Sequence, residues 1–88
     1  MTMTEDDLIL CTFRYCLGRM TYIVSDMTEY LEKKWDDIKE PYQEIIKREI
    51  KEALERNKAG MKCDWITWDI FLKKVDKEGK YAFKSERE

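Results

Sequence analysis

The sequence predicts an all-α fold: a long N-terminal helix packed by two shorter helices into a small helical bundle that assembles into oligomers. Three observations carry this expectation. Apolar residues recur at steps of three and four across 9–31, a single proline stands at 41 ahead of a second run of that kind, and a third run begins at Trp65, after Gly60.

Thr4 followed by Glu5, Asp6 and Asp7 reads as the start of the first helix, because a capping hydroxyl and first-turn carboxylates satisfy the exposed amides there. Ile9, Phe13, Cys16, Met20, Ile23, Met27 and Leu31 then form one apolar stripe. Gly18 weakens a helix by about 1 kcal/mol relative to Ala, and Thr21, Ile23 and Val24 are β-branched. The unbroken apolar phase still favours one helix from about residue 5 to about 36, roughly 48 Å long at 1.5 Å per residue. A break near Gly18 with a fresh start at Ser25 or Asp26, or a short strand over Met20–Val24, are the competing readings.

Pro41 suits the first turn of the second helix, where its missing N–H costs nothing, and Gly60 suits the position past its end. Tyr42, Ile45, Ile46, Ile50, Ala53 and Leu54 make its apolar side. Its outer side carries Glu44 with Arg48 and Glu52 with Arg56, i,i+4 pairs expected to hold a solvated face. Asp64 reads as the N-cap of the third helix, whose Trp65, Trp68, Phe71, Leu72 and Val75 face inward and which ends before Gly79. Residues 1–79 therefore form one helical domain, and 80–88 a flexible C-terminal arm.

Eighty-eight residues suffice for one thin core. With 43% hydrophobic residues and 12% aromatic, the chain is too apolar for disorder. Seventeen Lys and Arg against 19 Asp and Glu leave a net charge of -2, which gives no reason to expect direct DNA, RNA or membrane binding. Three cysteines and no secretory signal indicate free thiols in a reducing cytoplasm. Cys11 and Cys16 face opposite sides of the proposed helix, Cys63 is remote, and the chain has no histidine, so no metal site is expected.

The absence of histidine also removes the usual general base. No phosphate loop, dinucleotide fingerprint or nucleophile elbow appears, and neither enzyme activity nor a cofactor is expected. Cys11 beside Arg14 suggests a stabilised thiolate less readily than a small residue at a helix contact. Trp65, Trp68 and Trp35 suit core anchors better than a cage for a cationic ligand.

A second stripe runs along the back of the first helix: Cys11, Arg14, Tyr15, Gly18, Tyr22 and Ser25. A back that is not polar is expected to be covered, so Cys11, Gly18, Tyr22 and Ser25 mark a self-association face, with Gly18 permitting close backbone approach. On the same flank Arg14, Tyr15, Arg19, Thr21 and Tyr22 combine planar guanidinium forks with flat aromatic faces. They are the candidate residues for a ligand or partner. The competing reading packs the tyrosines against a neighbouring helix and pairs the arginines with Asp26, Glu29 or acidic residues on that helix.

Phe13-Arg14-Tyr15-Cys16-Leu17-Gly18-Arg19-Met20-Thr21-Tyr22, followed by Val24-Ser25-Asp26, Trp35, Glu49-Ile50, Gly60, Cys63-Asp64 and Trp68, resembles a group of small uncharacterised proteins of tailed phages and prophages. The resemblance spans about residues 8 to 72 and brings no catalytic or binding residue with it. It implies a context, because small accessory phage proteins often inhibit host antiviral defence without being enzymes, as anti-CRISPR proteins do. The expected function is a homo-oligomeric, stoichiometric inhibitor that binds a host defence protein. The alternatives are a sponge that sequesters a cyclic-nucleotide signal and a structural or assembly factor of the virion.

Overall fold

The structure, a computed structural model, describes residues 3–17, 19, 21–57 and 63–81, with the side chains of Thr21, Tyr22, Cys63 and Asp64 excepted. Among the described residues four α-helices follow in order: α1 Glu5–Cys16, α2 Thr21–Lys34, α3 Glu40–Asn57 and α4 Cys63–Val75, with a 3₁₀ turn Trp35–Asp37 between α2 and α3. All secondary structure among the described residues is helical, and no strand occurs at the described positions of 20–24.

The long N-terminal helix expected from the sequence is two helices. α1 stops at Leu17, whose backbone is extended (φ −63, ψ 119), and the Arg19 amide turns back to the Cys16 carbonyl at 3.0 Å. The new start falls at Thr21, earlier than the Ser25 or Asp26 of the competing reading. The physical reason is packing. In an unbroken rod Leu8 and Tyr30 would stand about 33 Å apart, yet both line one groove between α1 and α2. A turn across a stretch of weak helix propensity forfeits about 1 kcal/mol or two of local preference. It lets both segments bury their apolar sides in a common core, where each large side chain contributes about 1.5–3 kcal/mol.

The break also changes which side chains enter the core. Ile9, Phe13, Cys16, Met27 and Leu31 are buried as the stripe requires, whereas Ile23 is only half-buried and Val24 is fully buried beside it. α2, freed from the phase of α1, rotates Val24 inward. Met20 and Gly18 lie outside the described residues.

Thr4 forms the full capping box of α1: its hydroxyl accepts the Asp7 amide at 3.1 Å and its own amide donates to Asp7 Oδ2 at 3.2 Å. Pro41 occupies the first turn of α3 as expected. The buried side of α3 is Ile46, Ile50, Ala53 and Leu54, flanked by half-buried Tyr42 and Ile45. Its surface pairs differ from those expected, Glu44 meeting Lys47 at 3.0 Å and Lys51 meeting Glu55 at 3.8 Å. α4 begins at Cys63, so Asp64 lies in its first turn rather than ahead of it; Gly60 is outside the described residues.

α4 packs against both α2 and α3, and α1 lies against α2 and α3. At the centre, Trp68 meets Phe13 edge-on at 5.3 Å and Phe71 at 6.2 Å, and Phe71 meets Trp35 at 5.6 Å. Trp68 is fully buried and Trp35 and Trp65 pack at the core margin, which is the core-anchor reading of the tryptophans. Past α4, buried Asp76 accepts the amides of Lys80 at 3.1 Å and Tyr81 at 2.7 Å, and Gly79 makes the turn in the left-handed region (φ +71). The Tyr81 hydroxyl donates to Glu44 Oε1 at 2.8 Å. The first two residues of the expected arm are thus held to α3, and 82–88 lie outside the described residues.

Candidate functional site

The candidate residues collect at the corner where α1 ends. Arg14 and Tyr15 sit in its last turn, and Arg19 follows in the connection to α2. The Arg14 guanidinium grips Glu49 of α3, its Nε 3.1 Å from both carboxylate oxygens and its Nη2 donating to Oε2. That fork raises the Arg14 pKa further above the usual guanidinium value, the Glu49 hydrogen bonds being the main cause. The pairing is of the kind the competing reading anticipated, with an acidic residue on a neighbouring helix as partner.

Tyr15 is different. It is 63% exposed, far more than a packed tyrosine. The Arg19 guanidinium lies over its ring at 4.7 Å, and Arg19 Nε donates to the Tyr15 carbonyl at 3.0 Å. This backbone tether fixes the stack, so the aromatic face and the charge are presented together. The side chains of Thr21 and Tyr22 and all of Gly18 are outside the described residues.

The second stripe does not run along a single rod, because the turn after Cys16 divides it. Cys11 and Tyr15 are exposed on α1 and Ser25 is exposed on α2. Cys11 and Cys16 are free thiols; burial pushes the Cys16 thiol up, with the Arg19 charge acting the other way.

Beside the corner lies a feature the sequence reading did not single out. α1 and α2 border an open groove of about 440 Å³, with Leu8, Ile9, Thr12 and Cys16 on one wall and Ile23, Met27 and Tyr30 on the other. Leu8 is 54% and Tyr30 42% exposed at its mouth. Glu5 and Asp26 also line it, and among the described residues neither carboxylate has an ion-pair or hydrogen-bond partner. Leu8 was the available signal, an apolar residue one step off the core stripe. It carries a groove only once α2 folds back against α1.

Among the described residues no group of three or more cysteines and carboxylates is placed to hold a metal ion, and no helix is long and apolar enough to cross a membrane. No protein-family model matches the chain, nor does any curated protein or solved structure match it significantly.

Proposed function

We propose that this chain is a small non-enzymatic binding protein that acts stoichiometrically on a protein partner and contacts it through the Tyr15–Arg19 corner. One observation carries the reading: a largely exposed tyrosine whose ring already stacks under a tethered arginine. Tyr and Arg are the residue types that dominate protein interfaces, and an arginine fixed before binding loses less rotamer freedom on contact. The resemblance of the 13–26 segment to tailed-phage proteins supports a host antiviral-defence effector in the host cytoplasm as the partner class.

A cyclic-nucleotide sponge built from Arg14, Arg19, Tyr15 and Tyr22 is less well supported. The Arg14 fork is occupied by Glu49, so a phosphate there has to displace an intramolecular pair. Two measurements separate the readings. Protein binding predicts a partner that co-purifies from the host with wild type and is lost with Tyr15→Ala and Arg19→Ala, while both variants keep the wild-type melting temperature. A rise of several degrees with a saturating cyclic nucleotide, abolished by Arg19→Ala, would instead establish the sponge.

A further inference from the structure

The groove between α1 and α2 has an occupant ready on the opposite side of the sequence. Ile66 and Ile70 stand one turn apart on α4, and they are 48% and 51% exposed while Trp68, Phe71 and Leu72 of the same helix are fully buried. α4 therefore carries two apolar faces, one used in its own core and one turned outward. A face of this kind, with knobs at i and i+4, is what an apolar groove accepts.

The charges agree with the shapes. The outer stripe of α4 continues from Ile66 and Ile70 to Lys73, and Lys77 follows in the turn beyond the helix. Lys73 is bound to Asp69 of its own helix at 3.1 Å, the lysine side chain 60% and the aspartate 20% exposed, and an ammonium has three donors, so it can keep Asp69 and meet a second carboxylate. Lys77 has no partner among the described residues. Facing this, the groove offers an apolar floor with the two unpaired carboxylates Glu5 and Asp26. Two isoleucines with cations beyond them match an apolar slot with free acids, and both halves belong to one chain.

We infer that the groove of one copy receives the Ile66–Ile70 face of α4 from a second copy, with Lys73 and Lys77 meeting Glu5 and Asp26. Neither Tyr15 nor Arg19 lines this groove, so the contact uses other residues than the Tyr15–Arg19 corner. It uses neither Cys11 nor Ser25 of the stripe on which the sequence places self-association.

Each half can be removed without touching the core, since Leu8 and Ile70 are both about half exposed. Leu8→Glu places a charge in the groove, and Ile70→Asp places one on the knob. The full chain is run by light scattering after size exclusion, with reductant so that Cys11 forms no disulfide, and circular dichroism confirms that each variant stays helical. Wild type is expected above the 10.7 kDa chain mass, and each variant at that mass. Mixing the two variants is expected to restore a species of twice that mass, because the intact groove of one still accepts the intact α4 of the other. Monomeric wild type at millimolar concentration overturns the inference. So does self-association that persists in either variant, or a mixture of monomeric variants that stays monomeric.

Discussion

The Arg14–Glu49 pair decides whether the most suggestive arginine of the sequence is structural, and a double-mutant cycle measures it. The perturbations are Arg14→Ala, Glu49→Ala and both together. Three donor–acceptor contacts join the groups, with side-chain exposures of 53% for Arg14 and 22% for Glu49. Hydrogen bonds to charged groups contribute about 1.5–3 kcal/mol when shielded, whereas exposed ion pairs contribute about 0.2–1 kcal/mol. A half-exposed arginine on a mostly covered glutamate lies between these ranges, so we expect a coupling of about 1 kcal/mol. In a domain of this size that corresponds to about 4–8 °C in melting temperature. The assay is urea unfolding of the four proteins at low salt and again at 1 M salt, where screening reduces the coupling. A coupling below about 0.3 kcal/mol at low salt, within the range of uncoupled sites, refutes the structural assignment. It would return Arg14 to the set available for a phosphate.

Three further outcomes follow from the geometry. Trp68→Ala is expected to cost about 3–5 kcal/mol in urea unfolding, because it empties the centre of the core and breaks two aromatic contacts; a loss under about 2 kcal/mol would mean that Trp68 does not fill that centre. Glu44 is held down to about 2 from an ordinary 4.5, first by Lys47 and next by the Tyr81 hydroxyl. A carboxyl depressed in the folded state stabilises fully above its ordinary value, and that contribution is lost as pH falls from about 4.5 toward 2. Its carboxylate is 40% exposed, so solvent tempers the effect. Glu44→Gln should flatten the acid side of the melting-temperature profile in that window, and an unchanged slope would contradict the hold of Lys47 and Tyr81 on this carboxylate. Thr4→Ala removes the hydroxyl half of the capping box and is expected to cost about 1 kcal/mol, read by chemical denaturation.

How much of this was legible in the sequence depended on whether the signal was local. The Thr4 cap, the Pro41 start and the inward faces of α3 and α4 follow from residues within a turn or two of each other, and the structure has them. The corner was partly legible: Tyr15 and Arg19 meet, though across the turn after Cys16 and not at the spacing of a continuous helix. Arg14 finds its partner 35 residues away, and no periodicity names Glu49 among nineteen acids.

The sequence by itself determined that the chain is helical, which faces of its second and third apolar runs turn inward, and where the first helix is capped, because capping and amphipathic phase act over a few residues. Tertiary structure decided that the first apolar run folds into two helices. Ile9, Phe13, Cys16, Met27 and Leu31 suit the buried side of a rod or of a hairpin, so their spacing alone does not distinguish the two, and the shift from Ile23 to Val24 shows only after folding; the gain that selects the hairpin comes from burying both halves against α3 and α4. The groove beside Leu8 and Tyr30 is a product of that choice, since it exists only between two segments that packing brings side by side.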